Sequence, residues 1–330
     1  MANKHDIFLA THDLHVGYRN GKRETTLLRD INVTVRRGQM TALLGRNGAG
    51  KSTLLRALTC FTQPLKGNVE LAESGASLHD LSYGERSRLV GLVTTERLFA
   101  GALTVQEMVE LGRQPYTGVL GRLGRRDRDI VDEAIMQSGI AHKRYEMIAS
   151  LSDGERQKVM IAKALAQRTP LIVLDEPTAF LDVESRMEVM TLLHRLAHDE
   201  GKAIVLSTHD IAQALMLADR LWVITRDNEL VEGDTEALVL DGTMNRVFDT
   251  ENLSFNAAIG DYEARVKTSR TVVLDCPDDT LRYATTTLLL RHGIAVAATD
   301  ESDADIPHTT ISTPADLTAL RATLTEKPTD

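Results

Sequence analysis

Residues 40–53 read MTALLGRNGAGKST: a compact, mostly apolar stretch of five residues runs straight into a turn that holds three glycines. The apolar run has the length of a buried strand, and Leu54–Phe61 beyond the turn has helical spacing. Gly45, Gly50, Lys51 and Ser52 fall at the spacing G-x-x-x-x-G-K-[ST] of a phosphate-binding loop between a strand and a helix. Glycines let successive backbone N–H groups turn inward around phosphate oxygens with no Cβ in the way. The helix that opens near Lys51 adds the positive end of its dipole. On this reading Gly45, Arg46, Asn47, Gly48, Ala49, Gly50, Lys51, Ser52 and Thr53 form a nucleotide-binding loop. Lys51 reaches the β and γ phosphates, and the Ser52 hydroxyl holds Mg²⁺.

A second signal lies at 171–176, LIVLDE, four strand residues that end in two carboxylates. A carboxylate at the exposed end of a parallel strand, beside a phosphate loop, can complete a Mg²⁺ shell, and Asp175 fits. Glu176, the next residue, points to the other side and can polarise a water for attack on the γ phosphate. His209, in VLSTHD, follows another buried strand. If that strand lies beside the one carrying Asp175, His209 reaches the same rim and can hydrogen-bond the γ phosphate or the attacking water.

Around these motifs the chain alternates. Phe8–Ala10, Leu14–Val16 and Ile31–Val35 read as short antiparallel strands bounded by turn residues. Residues 101–150 carry helical patterns and read as a helical insert, in which GRLGRRDRD at 121–129 is expected to be a solvated loop. From 151 onward helix and buried strand alternate, which implies a mostly parallel sheet with helices on both faces. After a composition shift near 252–270 the pattern is strand 271–275, helix 279–291, strands 294–298 and 309–312, and a last helix from Pro314. His194 and His198 are one helical turn apart, and with no third ligand nearby they read as a solvated face.

The 330 residues suffice for one large domain and a smaller one. No apolar run approaches a membrane span. The opening MANKHDIFLATHDLH carries charge within its first six residues, so no secretory leader is expected. Cys60 and Cys276 lie far apart and are expected to be buried and reduced, as in a cytosolic protein. A formal net charge of -9 argues against a nucleic-acid partner.

GRNGAGKST, LSDGERQ at 151–157, LIVLDEP, AFLD and STHD, in this order and spacing, resemble the ATP-binding subunits of ABC transporters. The resemblance covers about residues 7–240. It implies an α/β P-loop NTPase of ABC type, with a mostly parallel core sheet, an N-terminal antiparallel β subdomain and a helical insert. The expected ATP-binding domain is 1–255, with the insert at about 100–150, and 265–330 is a small C-terminal α/β appendage whose sequence carries no readable motif. In that family the signature peptide acts in trans: two copies face each other, and Leu151, Ser152, Asp153, Gly154 and Glu155 would close on nucleotide held by the partner. The residue types suit this, since Ser152 can cap the following helix and Gly154 admits close backbone approach. Asp153 departs from the commoner glycine, and its carboxylate is unfavourable near a triphosphate unless it turns away. The near copy LSYGERS at 81–87 reads as a loop-to-helix turn without catalytic use.

By the same resemblance Tyr18 stacks on adenine, and Asp182 belongs to a loop that crosses the dimer. Thr95 or Glu96 stands where the family has a glutamine that touches Mg²⁺; Thr95 takes that place by alignment. RQPYTG at 113–118 resembles the permease-facing segment of importers of iron–siderophore, haem and cobalamin. The implied partners are a second copy, a permease dimer in the membrane and, indirectly, a substrate-binding protein. The implied location is the cytoplasmic face of the membrane. Manganese or zinc importers, and a stand-alone ATPase of iron–sulfur assembly, are the alternatives.

Overall fold

A computed structural model describes residues 6–21, 23–94, 103–118, 121–257, 259–297 and 306–325. The first layer is an antiparallel sheet of β1 (Ile7–Asn20), β2 (Arg23–Ile31) and β3 (Thr34–Arg36), in the order β2-β1-β3. The two apolar segments expected as separate strands, 8–10 and 14–16, are one continuous β1. Asp13 interrupts the pattern as a bulge instead of a turn: its φ is +43°, and its amide donates to Asn32 Oδ1 at 2.9 Å. The bulge lets one long strand pair with β3 at its start and β2 at its end.

The second layer is built from β4 (Met40–Leu44), which leads into α1 (Lys51–Leu58). β5 (Lys66–Leu71) returns to β1 in the first sheet, and α2 (Tyr83–Leu89) precedes β6 (Val90–Val93). Then come α3 (Val105–Glu110), α4 (Arg125–Gln137), α5 (Asp153–Ala166), β7 (Leu171–Leu174), α6 (Val183–His198) and β8 (Ala203–Ser207). The unit finishes with α7 (Ile211–Leu217), β9 (Arg220–Ile224), β10 (Leu230–Asp234), α8 (Thr235–Leu240) and α9 (Thr243–Phe248). The core sheet has the order β10-β9-β4-β8-β7-β6, parallel except for the edge strand β10. β4, β7 and β8 are buried along their whole length, as strands covered on both faces must be. This order sets the carboxyl ends of β4, β8 and β7 side by side.

The insert is helical, as its patterns imply. Arg113, 4% exposed, joins two of its segments to α5. Its Nη1 donates to Ala166 O at the end of α5 (2.7 Å), its Nε to Asp127 Oδ1 (3.0 Å), and its guanidinium lies 4.0 Å from the centre of the Tyr116 ring. Asp127 Oδ2 in turn accepts the Gly124 amide at the start of α4. The segment 125–129, expected as loop, is therefore the first turns of a helix, because Asp127 caps it and Arg113 holds Asp127. Cys60, just past α1, is buried with φ +53°, and burial pushes its thiol up to about 11 against the lowering charge of Arg86.

His194 and His198 stack at 4.0 Å, and His198 bonds His194 O and Asp219 Oδ1, both at 3.0 Å. Asp219 Oδ2 also accepts the Met40 amide at 2.7 Å, so the pair ties α6 to the entry of β4. These imidazoles, expected as a solvated face, thus make one structural joint.

Residues 248–256 and 262–330 form a second compact unit. β11 (Leu253–Asn256) pairs with β12 (Asp261–Ala264), and the Tyr262 ring meets Phe248 and Phe255 at 5.9 and 5.5 Å. Residues 248–255, expected in the first domain, fall in this unit, where Phe248 and Phe255 meet the Tyr262 ring. β13 (Arg270–Asp275), α10 (Asp279–Arg291), β14 (Ile294–Ala297), β15 (His308–Thr310) and α11 (Pro314–Thr325) complete the unit. The three strands form a parallel sheet in the order β14-β13-β15, and its core contains Leu274, Cys276, Leu281 and Ile311.

Two outcomes follow from this packing. A Cβ on Gly112 would sit 2.3 Å from Lys163 O, whereas one on Gly84 meets nothing within 4 Å. Gly112→Ala is expected to lower unfolding free energy by about 1–3 kcal/mol, and Gly84→Ala to change it by under about 0.5 kcal/mol; chemical denaturation measures both. The bond to His194 O, then that to Asp219, raises the His198 pKa above its ordinary 6.5. A raised pKa stabilises the fold below 6.5, and that increment disappears as pH climbs through the folded-state value. The thermal midpoint should therefore fall over this window, and His198→Gln should flatten the fall.

Candidate functional site

The loop 45–50 leaves β4 and turns through left-handed backbone at Gly48 (φ +79°) and Gly50 (φ +99°), the conformations that aim successive amides at one point. Gly45 is needed for a different reason: a Cβ there would approach Ile224 of β9 to 3.0 Å. Arg46, Asn47 and Gly48 are exposed, Ala49 is half-buried, and Gly50 is buried against Leu27 of β2. Lys51 opens α1 and is 5% exposed. Its Nζ donates to Gly45 O at 2.9 Å and Arg46 O at 3.4 Å, and lies 4.0 Å from Glu176 Oε1. Burial lowers its pKa, opposed by the charges of Glu176 and then Asp175. Ser52 is exposed and Thr53 half-buried on the first turn of α1.

At the end of β7, Asp175 is 7% exposed and its amide makes the last ladder bond, to Val93 O at 2.8 Å. The backbone then turns into left-handed space at Glu176 (φ +47°). That kink swings Glu176 across the rim of the sheet, where its Oε2 lies 3.9 Å from His209 Nδ1. The arrangement sets a half-buried carboxylate between an ammonium and an imidazole. His209 is exposed, with a side chain 56% accessible, on the turn after β8. β8 pairs directly with β7, so Lys51, Asp175, Glu176 and His209 share one end of the core sheet.

The segment 151–155 stands elsewhere in the unit: among the described residues no hydrogen bond or ion pair joins it to 45–53. Ser152 caps α5 and accepts the Glu155 amide at 3.3 Å, while Glu155 Oε2 accepts the Ser152 amide at 2.8 Å. That backbone bond, chiefly, holds the Glu155 carboxyl below its usual range. Leu151 is 2% exposed. Asp153 pairs with Arg156 Nη1 at 2.8 Å, so its charge is met within the same helix turn. Gly154 packs on α6, where a Cβ would fall 2.6 Å from Ser185 Oγ. The copy at 81–87 makes the same capping box, Ser82 with Glu85, on α2, none of whose residues is buried. The two peptides differ in surroundings and not in local shape.

Asp182 caps α6 through the Ser185 amide at 2.8 Å, which chiefly lowers its pKa. Tyr18 is 54% exposed and faces Thr25 across β1 and β2, on the sheet that backs Gly50. Thr95 and Glu96 lie outside the described residues. Sequence reading missed Ser207, whose buried hydroxyl sits between Asp175 and Glu176; STHD was read for its histidine alone. Among the described residues no group of three or more His, Cys, Asp or Glu side chains is arranged to hold a metal ion. No described helix is long and apolar enough to cross a membrane.

The family model for the ABC transporter matches residues 28–179. The chain is 37% identical to an uncharacterized ABC transporter ATP-binding protein of Methanocaldococcus jannaschii, over 78% of this chain and 87% of that one. It is 36% identical to the petrobactin import ATP-binding protein of Bacillus anthracis, over 68% and 82%. It is 34% identical to the cobalamin import ATP-binding protein of Halobacterium salinarum, over 80% of this chain but 63% of that one. Among solved structures, an inward-facing ABC transporter ascribed to the metal-chelate type matches at a TM-score of 0.63 and 26% identity, over 74% and 89%. A dimeric cassette in a post-hydrolysis state, bound to ADP and phosphate, matches at 0.60 and 28%, over 69% and 98%. With its strand order, its glycine loop and these likenesses together, the chain belongs to the ABC transporter family, as one of its ATP-binding ATPase subunits.

Proposed function

We propose that this chain powers an importer that carries an iron chelate, haem or cobalamin through a separate permease. The observation that carries the enzymatic part is the convergence of Lys51, Asp175, Glu176 and His209 on one sheet end. The amides of 45–50 and the Lys51 ammonium cradle the phosphates, and Lys51 can exchange its two carbonyl partners for phosphate oxygens. Tyr18 stacks on the base. An exposed hydroxyl and a carboxylate are the hard oxygen donors that suit Mg²⁺, so Ser52 and Asp175 would hold it, with Thr95 as a third candidate. Its chemistry there is neutralisation of charge on the β and γ oxygens.

Glu176 takes a proton from the attacking water as the water oxygen bonds to the γ phosphorus. The bond from that phosphorus to the β–γ bridging oxygen breaks, and ADP carries its electrons away. His209, beside Glu176, orients the water or the γ phosphate. Two copies stand head to tail, so that the capped start of α5 at Ser152–Glu155 presents amides and a positive helix end to the partner's nucleotide. Asp182 crosses the same interface. Because Arg156 already meets Asp153, that carboxylate needs no rearrangement before closure. The chain sits on the cytoplasmic face of the membrane through its permease, with a substrate-binding protein as indirect partner. The petrobactin and cobalamin relatives and the metal-chelate transporter support the cargo class.

Glu176→Gln should keep ATP affinity, elute as a dimer with ATP in size-exclusion chromatography, and lose turnover by at least about 100-fold. Normal multiple-turnover hydrolysis by this variant would overturn the assignment of the base. Cells deprived of the chain should lose uptake of radiolabelled ferric siderophore or cobalamin and retain manganese uptake. Lost manganese uptake alone would move the cargo to free metal ions.

A further inference from the structure

Ser207, the last residue of β8, is fully buried, and its one hydroxyl serves two neighbours. Its Oγ donates to Asp175 Oδ1 at 2.7 Å and accepts the Glu176 amide at 2.9 Å. Both bonds are made at the point where β7 stops being a strand. Asp175 still pairs with β6 through Val93 O, but Glu176 has turned to φ +47° and its amide has left the backbone ladder. A residue with a side chain is uncommon in that region and persists only where its surroundings hold it. The Ser207 hydroxyl replaces the missing backbone acceptor.

We infer that Ser207 is a positioning residue for hydrolysis: one hydroxyl sets the direction of both carboxylates at once. The bond to Oδ1 commits one Asp175 oxygen to the protein, and among the described residues Oδ2 accepts no hydrogen bond and stays available. The bond from the Glu176 amide holds the left-handed turn that carries this carboxylate over to Lys51 and His209. A hydroxyl is the simplest group able to do both, since it is donor and acceptor on one atom. The inference rests on the roles given above to Asp175 and Glu176, and on geometry that exists whether or not those roles hold.

Ser207→Ala removes the donor and the acceptor with the loss of one oxygen, and Ser207→Thr returns the hydroxyl on a residue that suits a strand. Three readouts are compared: thermal midpoint, affinity for a fluorescent ATP analogue without divalent metal, and binding of Mn²⁺ by electron paramagnetic resonance with a non-hydrolysable ATP analogue present. In S207A the metal-free ATP affinity should match the parent and the midpoint should fall, because the Glu176 amide and Asp175 Oδ1 lose their buried partner, while Mn²⁺ affinity drops about tenfold and kcat drops about 10–100-fold; S207T should recover midpoint, Mn²⁺ affinity and kcat. Parental Mn²⁺ affinity and kcat in S207A would overturn the inference, as would an S207T protein of parental midpoint that stays as impaired as S207A. If S207A does not fold, Ser207→Cys keeps the shape with a somewhat larger atom and a weaker donor, and is judged by the same outcomes. Glu176→Gln run alongside separates the two layers: normal turnover there removes the base assignment, while the Mn²⁺ data still decide whether Ser207 directs Asp175.

Discussion

A parallel sheet presents the carboxyl ends of all its strands at one edge, and everything at this site depends on which strands are neighbours there. β4 delivers the glycine loop, β7 the two carboxylates and β8 the histidine and Ser207. The strands lie in the order β4-β8-β7, so the phosphate cradle and the carboxylates are separated by one strand whose end is polar. Their interiors are buried and apolar except for Thr41 in β4, and the charged residues begin only where the strands stop. Burial thus fixes the register of the strands, and register fixes the site. A single-residue slip in β7 would exchange Asp175 and Glu176 between faces and dismantle both roles.

Much of this was legible in advance because the signals were independent. The mostly apolar runs at 40–44, 171–174 and 203–207 announce strands by composition, and glycine spacing announces the turn between 44 and 51. What stayed hidden was set by contacts distant in sequence. Asp13 looks like a turn residue and is a bulge, because Asn32 supplies the bond that lets the strand continue. Arg125–Asp129 looks like solvated loop and is helix, because Arg113 anchors the capping carboxylate. Ser207 opens the motif STHD, but only strand pairing brings its hydroxyl to Asp175.

The two capping-box peptides carry a related lesson. Ser82–Glu85 and Ser152–Glu155 are alike in caps and carboxylate bonds. Local sequence specifies the shape of a helix start, and its surroundings decide what that shape can do. α2 has no buried residue, and the site of a Cβ on Gly84 is open; Gly154 is pressed against Ser185 of α6, next to Asp182. The second peptide is therefore packed at its glycine against the start of α6, and the glycine of the first is open. Asp153 is tolerated for an equally local reason, since Arg156 answers its charge one turn away.

Both native cysteines are enclosed, and the Cys60 thiol, at about 11, is almost entirely un-ionised in neutral buffer. Only the thiolate attacks maleimides, iodoacetamide or a second sulfur. A spin label or fluorophore attached to a cysteine engineered on the surface can therefore be installed without first stripping the chain of its own. Distances between such probes could follow the approach of two copies in solution, on material that keeps both of its original cysteines.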